Sequence, residues 1–129
     1  VIASARFVDW EDACVGPLMY DLGCALVAAA FDEAGSLRDD VFRDVLRGYV
    51  EARGSLSSVE AAALPSLMAA NALACALYRW YQFHVVDPDV PADAKNAYLE
   101  MQAIVDALDA ELTSTRVNRL IQEHGTPAA

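Results

Sequence analysis

The sequence predicts a mainly α protein, a short N-terminal β-hairpin followed by four to five packed helices. Three observations carry that reading. Alanine supplies 25 of the 129 residues and the hydrophobic fraction is 56%, a composition that favours helix over sheet. After Gly16, apolar residues recur at spacings of three and four over most of the chain, which is the helical period. Before it, Phe7, Val8 and Trp10 concentrate β-branched and aromatic side chains in a short run, the signature of a strand. A chain of this length fits one domain and can bury roughly two-thirds of its unfolded surface.

Taken in order, Val1 to Ala3, a tight turn at Ser4 and Ala5, and Arg6 to Trp10 read as the hairpin. Pro17 suits the first position of a helix, because its fixed φ is helical and its missing N–H would be unpaired there anyway. That helix should reach about Phe31, with Tyr20, Cys24, Val27 and Phe31 on one face and Leu18, Leu22, Ala25 and Ala29 beside it. Being apolar nearly all round, it is expected at the centre. Ser36 followed by Asp39 resembles a cap, and Val41, Phe42, Val45, Leu46, Tyr49 and Val50 form the stripe of an amphipathic helix that Gly54 stops.

Ser57 and Glu60 form a capping box that opens a short helix, which Pro65 should end or kink. A second helix, about 65–85, carries Leu67, Met68, Leu73, Leu77, Trp80, Tyr81 and His84, with Tyr78, Trp80, Tyr81 and Phe83 expected mostly in the core. The stretch "VVDPDVPAD" breaks it. A last long helix begins near Pro91 with the stripe Tyr98, Met101, Val105, Leu108 and Leu112. The expected organisation is one helical domain over 1–112, made of a hairpin and loop (1–16) and a helical part (17–112), with 113–129 as a tail that frays.

A net charge of −10 with nine scattered basic residues excludes nucleic acid and anionic membranes as expected partners, since both need clustered Lys and Arg. Three cysteines, Cys14, Cys24 and Cys75, with no C-x-x-C spacing, indicate neither a disulfide framework nor a zinc ribbon. They read as small hydrophobes in a reducing compartment, so a cytoplasmic setting is expected. Residues 61–78 carry no charge, but Pro65, Ser66, Asn71 and the alanine content argue for a buried helix rather than a membrane span. No signal peptide is visible, and the start at Val1 without a Met reads as a cut edge.

The chemistry concentrates in "FVDWEDACVGPLMYDLG", residues 7–23. In a strand Asp9 and Glu11 share a face while Trp10 points the other way. Two carboxylates on one face repel unless a cation or donor lies between them, and Mg2+ takes such hard oxygens together with phosphate and water. From spacing alone the plainer reading has Asp9 and Glu11 solvated at a strand end, with Asp12 capping a turn. Asp21 lies one turn into an apolar helix, where a buried acid needs N–H donors or a cation, and where a first-turn acid is also favoured by the helix dipole.

That segment resembles the metal-binding strand and following helix of the aminoglycoside phosphotransferase and type II homoserine kinase group, relatives of protein kinases. A weaker likeness runs through "VLRGYVEARGSLSSVEAAALPSLMAANAL", similar to the group's helical substrate subdomain. The resemblance implies the distal part of a protein-kinase-like C-lobe and phosphoryl transfer from ATP to a hydroxyl of a small molecule, with Mg2+. It gives Asp9 the magnesium against the β and γ phosphates, and Val8 a place on the adenine ring. Trp10 would pack behind the metal, Glu11 would be an outer metal partner, and Asp21 would accept hydrogen bonds from the catalytic-loop backbone.

The group's His-Gly-Asp segment, its metal-binding Asn and its phosphate-binding Lys would lie before residue 1, and no His-x-Asp-x-x-x-x-Asn occurs in these residues. The isolated chain is therefore expected to be inactive, because phosphoryl transfer needs metal, base and phosphate cradle together. The acidic surface favours a cationic substrate such as an aminoglycoside, while "GYVEARGSLSSVE" leans toward a homoserine-type or other metabolite. Arg79 lies on a helix that looks buried and should therefore pair with an acid, with substrate contact the lesser reading, and His84 should be a satisfied histidine at a helix end. Two further readings stand beside the enzyme: a noncatalytic helical bundle binding a partner through the Tyr98 to Leu112 stripe, and a pseudokinase remnant. The oligomeric state is not legible.

Overall fold

The computed structural model describes residues 15–126. Six α-helices are arranged as α1 (Leu18–Ala30), α2 (Asp39–Arg53), α3 (Ser58–Tyr81), α4 (Ala92–Asn96), α5 (Tyr98–Asp109) and α6 (Glu111–His124). A π-helical turn, Gln82–Val86, extends α3, closed by Asp87 N–H donating to Gln82 O at 2.8 Å. Among the described residues there is no strand, only a single antiparallel bridge between Phe31 and Leu37. The expected N-terminal hairpin lies outside the described residues.

Helix α3 is the axis of the fold, packing against α1, α5 and α6, while α2 bridges α1 and α6. Its start follows the sequence reading. Ser57 Oγ accepts from Glu60 N–H, and Glu60 Oε2 accepts from Ser57 N–H at 2.8 Å, a complete capping box. Pro65 does not end it. The helix runs through the proline because Ala61, Leu64 and Met68 are buried on either side of it, so tertiary burial outweighs one lost backbone bond.

The buried face of α3 is Ala61, Leu64, Met68, Asn71, Ala72 and Ala76. Toward its C-terminal end the large residues point outward instead: Leu77 is 60% exposed, Tyr78 67% and Tyr81 54%. This corrects the expectation that the aromatic group forms core. A face of alanines lets α1 and α5 approach closely, and the bulky side chains are left on the other side. By length and composition the run Ser58–Val86 would be long and apolar enough to cross a membrane.

The phase of α1 differs in the same way. Met19, Leu22, Leu26, Val27 and Ala30 are buried, whereas Tyr20 and Cys24 are exposed. Pro17 caps the helix from extended backbone (ψ 128°) rather than filling its first turn. Gly23 sits at the crossing, where a Cβ would lie 2.9 Å from Asn71 Nδ2 and 3.5 Å from Leu67 and Met68 backbone atoms.

Helix α2 has the expected stripe, with Phe42 and Leu46 fully buried, and Gly54 ends it with its N–H on Val50 O at 2.8 Å. Ser36 is not its cap. Asp32 Oδ1 instead accepts from the N–H groups of Ala34 (3.0 Å) and Ser36 (2.8 Å), closing the α1–α2 loop. The last long helix is divided at Ala97 and at Ala110, whose ψ of 130° leaves the helical region. Leu112 therefore falls on α6 and is 74% exposed.

The stretch expected to fray is helix α6. Val117, Leu120 and Ile121 are 0%, 5% and 1% exposed and belong to the same core as Phe42, Leu46 and Leu56. Arg116 fixes it to the start of α2 through Asp39 at 2.6 Å and Leu37 O at 3.3 Å, and Leu56 N–H donates to Gly125 O at 2.7 Å.

Candidate functional site

Where α1, α3 and α5 converge with the α1–α2 loop, a cavity of about 350 Å3 opens. Val27, Phe31, Met101 and Ile104 give it apolar walls, and Cys24, Asn71, Cys75, Arg79, Glu100, Asp32 and Glu33 supply its polar groups. Asn71 is the one buried polar side chain among the described core residues. Its Nδ2 donates to Tyr20 O at 3.1 Å and its Oδ1 accepts from Cys24 Sγ at 3.0 Å, so both ends of a buried amide are satisfied. Partial burial pushes the Cys24 thiol pKa up, with the charges of Asp21 and Cys75 adding to it. Cys24 is thereby kept in the protonated form that donates to Asn71.

Arg79 pairs with an acid, as its sequence context predicts. Its Nη1 donates to Glu100 Oε2 at 3.0 Å and to Ala97 O at 2.9 Å, tying α3 to the start of α5. His84 stacks on Trp80 with centroids 5.3 Å apart and meets Tyr98 edge-on at 5.9 Å, with Nδ1 3.0 Å from Trp80 O. That is the satisfied helix-end histidine expected.

Of the residues singled out from the sequence, Val8, Asp9, Trp10, Glu11 and Asp12 lie outside the described residues. Asp21 is described, in the first turn of α1, and it is exposed rather than buried. Of the two readings the sequence offers for it, this is the first-turn acid beside the helix dipole, with the inward positions of that turn taken by Met19 and Leu22. Among the described residues no three His, Cys, Asp or Glu side chains gather to hold a metal; Asp9 and Glu11, the expected Mg2+ ligands, lie outside them. The cavity residues Asp32, Glu33 and Glu100 were not anticipated. Asn71, an amide inside the uncharged run 61–78, was the visible signal.

Residues 5–56 match the profile of a family described as "Phosphotransferase enzyme family". Over 106 residues, 78% of the chain, it is 36% identical to a homoserine kinase of Methylocella silvestris. Both matches fall in the aminoglycoside phosphotransferase and homoserine kinase group, whose likeness residues 7–23 carry. The chain spans about a third of the length of that curated relative, 33%. No solved structure gives a significant match.

Proposed function

We propose that this chain is the C-terminal part of an ATP-dependent small-molecule phosphotransferase that moves a phosphoryl group to a substrate hydroxyl in the cytoplasm, with homoserine-type acceptors favoured over aminoglycosides. The observation that carries this is the 36% identity to a homoserine kinase over 106 residues. On this reading Asp9 holds Mg2+ against the ATP phosphates, Glu11 supports the metal, Val8 meets the adenine and Trp10 backs the site. Asp21 accepts hydrogen bonds from the catalytic loop, which with the nucleotide-covering lobe belongs to a longer protein. The metal supplies charge neutralisation of the transferred phosphoryl group when bound.

Against the bundle reading, its stripe is divided: Leu108 is buried, Tyr98, Met101 and Val105 are half-buried, and Leu112 lies on another helix. A pseudokinase shares the fold and differs only in turnover. The test is Mg2+-dependent phosphorylation of homoserine by the longer protein. Asp9→Ala should abolish transfer while leaving the thermal melt unchanged, and the isolated 129-residue chain should not turn over ATP. Near-normal turnover by Asp9→Ala at ordinary magnesium would refute the metal role.

A further inference from the structure

Cys24 and Cys75 are the two cysteines among the described residues, and both are free thiols. Neither is spent on the core. Cys24 is exposed and Cys75 half-buried, and α1 and α3 bring them to the wall of the same cavity. A cysteine acting only as a small hydrophobe would be buried instead.

Asn71 fixes where the two sulfurs stand. Cys24 Sγ donates to Asn71 Oδ1 at 3.0 Å. Cys75 lies one turn after Asn71 on α3, and side chains so spaced share a face with Cβ atoms about 5–6 Å apart. After burial, the charges of Asp21 and Cys75 raise the Cys24 pKa, so the second sulfur is within electrostatic range of the first. The helices themselves nearly touch one residue earlier, where a Cβ on Gly23 would lie 3.5 Å from backbone atoms of Leu67 and Met68. A disulfide needs Cα atoms about 4.4–6.8 Å apart, a separation that only such a close crossing allows between two helices.

We infer that Cys24 and Cys75 are a thiol–disulfide modification site, oxidised by a small disulfide of the glutathione type to a bond that ties α1 to α3 at the cavity wall. The exposed Cys24 thiolate attacks one sulfur of glutathione disulfide and expels a glutathione thiolate, which takes up the proton that Cys24 lost. Cys75, deprotonated in its turn, attacks the Cys24 sulfur and expels the second glutathione. The protein pair gives up two electrons and two protons, and the oxidant leaves as two thiols. Within the protein the step costs the Cys24–Asn71 hydrogen bond, made by a weak donor. In a reducing compartment the dithiol is the resting form and the bridge is transient.

The test uses the 129-residue chain carrying Cys14→Ser, which leaves this pair as its cysteines. Glutathione disulfide should lower its mass by two hydrogens, with no glutathione retained and a peptide map joining Cys24 to Cys75. Adding Cys75→Ser should trap glutathione on Cys24. Cys24→Ser keeps a hydroxyl to donate to Asn71, so it should hold the fold and form no bridge. Because the bond closes the chain between residues 24 and 75, the oxidised form should melt about 7–15 °C higher and return to the parent midpoint with dithiothreitol.

A lasting glutathione adduct on Cys24 while Cys75 is present would overturn the inference, as would a disulfide formed between two copies of the chain. A bridged chain melting no higher than the reduced one would also overturn it, since the helices would then have to move apart from their packed positions to pair.

Discussion

Gly35 holds the α1–α2 loop, and with it Asp32 and Glu33, against α5. Its φ is +77°, and a Cβ there would stand 2.5 Å from Ala103 O, 2.8 Å from Ala103 C and 3.3 Å from Ala103 Cβ. Placing alanine in left-handed backbone costs about 1–2 kcal/mol. The contact adds about 1–3 kcal/mol, the usual range for overpacking, because the opposing atoms are helix backbone and cannot rotate away. The smaller entropy of the unfolded alanine chain offsets about 0.4–1 kcal/mol. Gly35→Ala should therefore destabilise the chain by about 1–5 kcal/mol. With an unfolding entropy of about 0.27 kcal/mol/K for 129 residues, the melting midpoint should fall by about 4–17 °C. Gly48 is the internal control: it lies within α2 with nothing within 4 Å of a Cβ, so Gly48→Ala should gain about 0.5–1 kcal/mol. Thermal unfolding followed by far-ultraviolet circular dichroism reads both. A Gly35→Ala midpoint within about 2 °C of the parent, well under the calculated fall, would refute the close approach of loop and helix.

Two further outcomes follow from the capping box and from α6. Arg53, then the Ser57 N–H and hydroxyl, hold the Glu60 carboxyl down to about 2. A depressed pKa stabilises the fold above the ordinary carboxylate range and is lost as pH falls, so Glu60→Gln should flatten the acid limb of the stability profile between about 4.5 and about 2. An acid limb identical to the parent's in pH-dependent melts would contradict the pairing. Ile121, 1% exposed on α6, should cost about 2–5 kcal/mol on truncation to alanine; a melt unchanged by Ile121→Ala would restore the frayed tail.

Helices with chemically distinct ends were legible from residues alone. Ser57 with Glu60 marks the start of α3 and Gly54 marks the end of α2, because each satisfies a specific orphan backbone group. Helix phase was not legible where every face is apolar. In α1 and α3 periodicity cannot tell an alanine face from an aromatic one, and close approach to two neighbouring helices settles it in favour of Ala72 and Ala76 over Leu73 and Leu77. Pro65 misled for a related reason, since its local cost is visible in the sequence and the burial that offsets it is not. Helix α6 was hidden by Arg116, Arg119 and Glu123, whose charge reads as tail until Asp39, 77 residues from Arg116, supplies the partner. The cavity joins three helices far apart in sequence, so no single motif announces it.

Asp21 is where chemistry and fold part company. Read as a buried brace, it should cost several kcal/mol of stability when removed. Exposed in the first turn of α1, it interacts with the helix dipole, an effect of about 0.3–1 kcal/mol. Asp21→Ala in the 129-residue chain should accordingly shift the melt by no more than about 4 °C. In the longer protein a brace for the catalytic loop would show as lost phosphotransfer together with a larger stability loss than in the isolated chain, because the donors left unpaired are then present. A loss above about 2 kcal/mol in the isolated chain would refute the exposed position. Equal, small losses in both proteins with activity intact would leave Asp21 a helix-terminal charge and remove it from the site.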